Sequence, residues 1–178
     1  MTGIARSTAQ LDKSLKFVCN RLHTFGLKNW FVGYGTLLGI VRDGHCIDGD
    51  DDLDIVIDVK EINQVRELVS ALWFSHDYET LIDKKGKFLQ IANKESQIDF
   101  YFCKVDRRGN FFDRHEKVTW TKCFNNKGSL PTIDWQGIRL NVPQDSRKKV
   151  RNRYGKRWNK RIRKNEPGGE GYRSVLYL

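Results

Sequence analysis

The sequence has little of what stiffens, cross-links or anchors a chain. Three prolines in 178 residues exclude a proline-rich stalk or linker. The four cysteines, Cys19, Cys46, Cys103 and Cys123, make no CxxC pair and are too sparse for a cystine-stapled fold, so a reducing compartment is expected. No run of eighteen apolar residues is present to span a bilayer, and the opening MTGIARSTAQ lacks the apolar stretch of a secretory signal. The expectation is a cytoplasmic protein with no transmembrane segment. No internal repeat or low-complexity linker interrupts it.

What the chain does have is charge on top of an ordinary core. Hydrophobic residues make up 39% and charged residues 30%, with a net charge of +10, a composition suited to one domain with one core. The excess is local. Eleven Lys/Arg and no acid lie between Arg147 and Lys164, which leaves the remainder one charge on the acidic side of neutral. The expected organisation is a body over residues 1–146 and a basic C-terminal extension over residues 147–178. Residues 147–164 suit a polyanion or an anionic membrane surface, or else a solvated tail.

Periodicity sets out the elements. Ser7 followed by Gln10 reads as a capping box, and Leu11, Leu15, Val18, Leu22 and Phe25 recur at helical spacing up to Gly26. NWFVG is a short strand entering a glycine turn, and TLLGIVR (36–42) a short helix behind it. From Asp52 the period becomes two, with Leu53, Ile55 and Ile57 on one face and Asp52, Asp54, Val56 and Asp58 on the other. A helix over 59–74 follows, then three strands, YETLID, KFLQIAN and QIDFYFCKV, predicted as an antiparallel meander. KVTWTKC and GIRLNV are further strand candidates, and QDSRKKVRNRYG a last helix. The order predicts an α+β fold: a mixed β-sheet flanked by helices, with a basic C-terminal helical segment.

Seven of the sixteen residues from Asp43 to Asp58 are aspartate. Two carboxylates at i and i+2 on a strand share a face, and at an effective dielectric of about 20 a pair ~5 Å apart repels by roughly 3 kcal/mol. Such a cluster requires a positive partner. An all-oxygen donor set suits Mg²⁺, Mn²⁺ or Ca²⁺. A calcium loop of EF-hand type fails, because the place of its obligatory glycine holds Leu53 or Ile55, depending on the starting aspartate. Asp99, alone on the apolar strand QIDFYFC, is costly to bury without a partner. If its strand neighbours that of Asp52 and Asp54, the three carboxylates converge on one site for phosphoryl or nucleotidyl transfer, with Mg²⁺ or Mn²⁺ as cofactor.

The turn GYGTLLG supplies candidate phosphate contacts: Gly33 and Gly35 for close backbone approach, and Thr36 with the first helical amides as donors. Arg42 is a further phosphate ligand or a structural ion pair. Other residues carry less. Cys19 and His23 have a zinc-compatible spacing without a second pair, His45 and Cys46 lie in the loop before the acids, and Tyr101, Trp120 and Trp135 are able to stack a base or sugar but equally to fill a core.

The block GYGTLLGIVRDGHCIDGDDDLDIVI resembles the LicD and fukutin-related family of the nucleotidyltransferase superfamily. Gly35 and Thr36 match the superfamily turn, Asp52 and Asp54 its metal pair, and Asp99 its third acid. The ending is similar too, with Pro143, Tyr154, Gly155 and Trp158 in place, while Asp48-Gly49 stands where the family commonly has Pro-Trp. The resemblance implies a metal-dependent phosphotransferase that moves a phosphorylated small alcohol, phosphocholine- or ribitol-phosphate-like, from a CDP-activated donor to a glycan hydroxyl, with Asp99 as the base. The expected partners are therefore a nucleotide-diphosphate-activated donor and a saccharide acceptor. The alternative within the same fold is a nucleotidyltransferase acting on RNA or a small molecule, its basic tail binding the polyanion.

Overall fold

The computed structural model describes residues 4–161 and Leu178. Helix α1 (Thr8–Thr24) begins at the capping box: the Ser7 side chain accepts from the Gln10 amide while the Gln10 side chain returns to the Ser7 N–H. Its stripe of Leu11, Leu15, Val18 and Leu22 is buried, and the helix stops at the left-handed Gly26. Strand β1 (Trp30–Val32) leads into helix α2 (Tyr34–Asp43), two residues longer at its start than the sequence indicates. Strand β2 (Leu53–Asp58) is buried throughout. A single 3-10 turn, Val59–Glu61, then precedes α3 (Ile62–His76), which buries Val65, Leu68 and Leu72.

The meander follows as β3 (Glu79–Lys84), β4 (Phe88–Ala92) and β5 (Gln97–Val105). After it come β6 (Phe111–Asp113), β7 (Val118–Trp120), the hairpin β8 (Thr132–Trp135) and β9 (Ile138–Asn141), and α4 (Ser146–Tyr154). β6 and β8 have no counterpart in the sequence reading. Each is too short to display a period, and both keep side chains exposed.

One mixed sheet has the order β1-β2-β5-β4-β3, with β6 beside β5 and β7 beside β6. β1 runs antiparallel to β2, β2 runs parallel to β5, and β3 to β5 form the expected antiparallel meander. This central place explains why β2 and most of β5 are buried on both faces. Leu53, Ile55 and Ile57 join the same core as the apolar stripes of α1 and α3. The opposite face of β2 meets α2, which in turn packs on α4. Among the described residues no helix is long and apolar enough to cross a membrane.

Candidate active site

Parallel pairing of β2 with β5 puts Asp54 level with Asp99 and Val56 level with Tyr101, so the acidic face of one strand continues onto the next. Asp99 is 4% exposed and accepts a hydrogen bond from Gln90 Nε2, 2.9 Å away on β4, and another from the Gln97 side chain. Asp54, 5% exposed, is tied to α2 twice: its backbone N–H donates to Thr36 Oγ1 (2.8 Å), and the Thr36 N–H donates to Asp54 Oδ2 (3.3 Å). Thr36 thus orients Asp54 before it could reach any ligand.

The glycines of the turn have separate reasons. A Cβ on Gly33 would meet Val56 Cγ2 at 2.6 Å, so Gly33 lets α2 start flush against β2. A Cβ on Gly35 would stand 3.1 Å from Asp50 Oδ2 and 3.3 Å from Asp54 Oδ2, so Gly35 leaves room for carboxylates. Between them Tyr34 takes a φ of 37°, a left-handed value costly for any residue but glycine. Arg42 does not join the group. It lies seven residues beyond Gly35, about 10 Å along the helix, with its guanidinium on Asp43 at 2.8 Å.

The tightest carboxylate trio among the described residues is Asp50, Asp51 and Asp52, which each offer an oxygen within 4.8 Å of the others. Asp52, Asp54 and Asp99 are joined more loosely, through charge. Burial first, then Asp99, Asp50 and Asp51, push Asp52 up to about 8, against a counter-influence from Arg6. Burial, then Asp52, Asp99 and Asp50, hold Asp54 well above the usual carboxylate range. Burial raises Asp99 to about 6, with its two glutamine hydrogen bonds opposing and Asp51 adding to the rise. Gln90 Oε1 and Gln97 Oε1 are buried without a hydrogen-bond partner, so acceptors exceed donors here. That imbalance, an all-oxygen donor set and the space kept open at Gly35 fit a hard divalent cation.

Arg6 is the counter-charge that the sequence did not disclose. It is 4% exposed; its guanidinium donates to the Glu95, Ile4 and Asp51 carbonyls, and its backbone pairs with Gly49 and Asp50 (2.9 Å each). The segment around Arg6 therefore straps the acidic loop to the β4–β5 turn.

A cleft of about 260 Å³ opens over this group, lined by Gly35, Asp50, Asp51, Asp52 and Asp54 together with Glu116, Arg153 and Tyr154. Tyr34 and Tyr101, with ring centroids 4.7 Å apart, complete it. Asp99, 4% exposed, does not itself line the cleft. Trp120 packs on the Tyr34 and Phe31 rings in the core, and the Trp135 indole donates to the Gly44 carbonyl at 2.8 Å. Cys19 and Cys46 are buried, while His23 bonds to the Arg139 carbonyl and His45 to that of Cys46. α4 packs on α2 with Lys149, Val150 and Arg153 buried. Residues 162–164 of the basic run lie outside the described residues.

Two solved structures resemble the chain in fold. One is the lincosamide antibiotic adenylyltransferase LnuA with lincomycin bound, with a TM-score of 0.56 and 11% identity over 75% of this chain and 80% of that one. The other is the antibiotic-resistance factor ANT(2'')-Ia in solution, with a TM-score of 0.50 and 12% identity over 74% and 66%. No curated protein matches the sequence. The α+β architecture is that of the nucleotidyltransferases, and the model of the LicD/FKTN/FKRP nucleotidyltransferase domain matches residues 28–145, from the strand before the glycine turn to the start of α4. With its acidic strands aligned over a glycine-walled cleft and two-thirds of its length matched, the chain belongs to the LicD/FKTN/FKRP nucleotidyltransferase family and is an enzyme of transferase type.

Proposed function

We propose that the cleft transfers a phosphorylated small alcohol, phosphocholine- or ribitol-phosphate-like, from a CDP-activated donor to a glycan hydroxyl. The observation that carries this reading is the level placement of Asp54 and Asp99 on paired parallel strands, with Asp52 next to them at the cleft. Asp52, Asp54 and Asp99 would hold Mg²⁺ or Mn²⁺, joined by Asp50 and Asp51 at its rim. A divalent ion bound there neutralises a diphosphate. Gly35, which lines the cleft, lets the donor's phosphates approach the start of α2, while Gly33 seats the helix on β2 and Thr36 holds Asp54. Arg42, far along the helix, would act on the site only through the seating of α2.

In the proposed reaction the acceptor oxygen bonds to the phosphorus that carries the alcohol, the bond from that phosphorus to the bridging oxygen breaks, and CMP leaves with that oxygen. The acceptor proton passes to a carboxylate. Asp99, raised to about 6 by burial, is largely ionised at neutral pH and is the assigned base, with Gln90 and Gln97 fixing its orientation. Residues 1–146 would form the catalytic body and residues 147–178 its basic extension.

The test is thermal unfolding against a panel of nucleotides with and without Mg²⁺ or Mn²⁺, followed by mass spectrometry of candidate glycan acceptors. A midpoint raised by CDP-linked alcohols with metal, and not by purine triphosphates, supports the reading. No response to any nucleotide with metal overturns it. The exposed Arg147, Lys148 and Arg151 of α4 favour a second reading, nucleotidyl transfer to RNA or a small molecule; it requires a salt-sensitive affinity for RNA that vanishes on deleting residues 147–178.

A further inference from the structure

The two tyrosine rings that meet in the cleft carry hydroxyls with opposite fates. Tyr34, at the start of α2, donates to Asp113 Oδ2 on β6 at 2.6 Å. Asp113 is fully enclosed, and its other oxygen accepts from the backbone N–H groups of His115 (2.7 Å) and Glu116 (3.1 Å). The Tyr34 hydroxyl is thus spent on the fold. The Tyr101 hydroxyl has no hydrogen-bond partner among the described residues, and it is not one of the enclosed polar atoms that lack one. It is therefore open to solvent, and the opening that Tyr101 lines is the cleft.

Tyr101 stands on β5 two residues beyond Asp99, and side chains at i and i+2 of a strand share a face. Its level neighbour on β2 is Val56, two residues beyond Asp54. Asp54, Asp99 and Asp52 each act on the hydroxyl through their charge, so it shares their electrostatic surroundings. The ring itself is held by the rings of Tyr34 and of Phe88 on β4, whose centroids lie 4.7 and 5.1 Å from its own. Packing accounts for the ring and not for the hydroxyl. Phenylalanine, which occupies positions 100 and 102 of the same strand, would fill the space as well. The carboxylates beside it take their hydrogen bonds elsewhere: Asp54 from the Thr36 N–H, Asp99 from the Gln90 and Gln97 side chains. A partly buried phenol that bonds to none of them gives up hydration without a return from the protein.

We infer that Tyr101 is a substrate-binding residue whose hydroxyl donates to a phosphate oxygen of the activated donor, an assignment that rests on the phosphotransfer reading above. Ionised aspartates are acceptors only and offer a phosphate no hydrogen bond. A divalent ion among them satisfies some of the diphosphate oxygens, and the others need N–H or O–H donors. A phenol is such a donor at neutral pH, and hydrogen bonds to a charged oxygen are the strong ones. Because neighbouring rings already fix its side chain, little conformational freedom is lost on binding. In the sequence Tyr101 stands between Phe100 and Phe102, where it is indistinguishable from a core aromatic.

The test is calorimetric titration of the full chain with pyrophosphate in the presence of MgCl₂, a separate titration with MnCl₂ alone, and thermal unfolding of Tyr101→Phe and Tyr34→Phe. Tyr101→Phe keeps the ring and is expected to weaken pyrophosphate on the order of 10- to 100-fold, as loss of a hydrogen bond to a charged group does. Its Mn²⁺ affinity should match that of wild type, and its midpoint should stay within about 2 °C, whereas Tyr34→Phe should unfold at a lower temperature. Wild-type affinity for pyrophosphate in Tyr101→Phe, an equal loss of Mn²⁺ binding, or a destabilisation as large as that of Tyr34→Phe refutes the assignment and leaves the phosphotransfer reading standing. A wild-type chain that binds neither pyrophosphate nor any nucleotide with metal removes both.

Discussion

Replacing Gly35 by alanine should leave the fold intact and silence the site, while the same change four residues on, at Gly39, should do the reverse. A methyl at position 35 would stand 3.1 and 3.3 Å from Asp50 Oδ2 and Asp54 Oδ2. These are side-chain oxygens that can retreat by a few tenths of an ångström. Gly35 has no left-handed φ, and alanine in a helix gains up to about 1 kcal/mol over glycine. The net effect on stability should stay within about 1 kcal/mol, or roughly 2–4 °C in Tm for a chain of this size. Metal ligands, however, tolerate displacements of only about 0.2 Å, so a crowded pair of carboxylates should lose about tenfold or more in divalent-ion affinity. At Gly39 the added methyl would meet the His45 carbonyl oxygen at 2.7 Å and the Ile47 nitrogen at 2.9 Å, both backbone. That overpacking should cost roughly 1–3 kcal/mol. Thermal unfolding of wild type, Gly35→Ala and Gly39→Ala, each with and without saturating MnCl₂, separates the two effects. A Gly35→Ala protein as destabilised as Gly39→Ala, or one that keeps the full metal-induced rise in Tm, would refute the account of why glycine stands there.

Three further outcomes follow from the charges. Asp54→Asn should make the metal-free protein more stable and the enzyme inactive, because it removes a buried charge beside Asp52, Asp99 and Asp50; denaturant unfolding and a CMP-release assay check both halves. Its advantage should depend on pH: a carboxyl held above its ordinary value favours the folded state fully only below about 4, and that contribution is lost as pH rises, so the gap between Asp54→Asn and wild type should widen from pH 5 to pH 8 by up to about 1.4 kcal/mol per unit. The wild-type Tm without metal should likewise fall over that range as Asp52 approaches its value of about 8, and saturating Mg²⁺ should restore most of the loss at pH 8. Tyr34→Phe should cost about 1–3 kcal/mol by leaving the enclosed Asp113 carboxylate one donor short, which denaturant unfolding measures.

The parts legible in the sequence are those written in local periods. The Ser7–Gln10 capping box, the alternation along Leu53–Asp58 and the three strands after α3 each confine their signal to a few neighbouring residues, and each is found in place. Asp99 could be singled out because a lone acid among Ile98, Phe100 and Phe102 contradicts its surroundings. Its level placement with Asp54 depended only on which strands are neighbours. The rest depends on long-range contacts with no local mark. Arg6 reaches Glu95 across 89 positions, and Tyr34 reaches Asp113 across 79. Gln90 faces Asp99 through the register of an antiparallel pair, which no pattern in KFLQIAN reveals. Thr36, read as a phosphate donor, spends both its amide and its hydroxyl on Asp54, because a helix start pressed onto a strand satisfies its own neighbour first.

The strap formed by Arg6 has a practical corollary. The family match begins at residue 28, so Arg6 lies upstream of it. A recombinant fragment cut to those limits would keep the acidic loop, Asp54 and Asp99 and shed the guanidinium that counters the charge at Asp52.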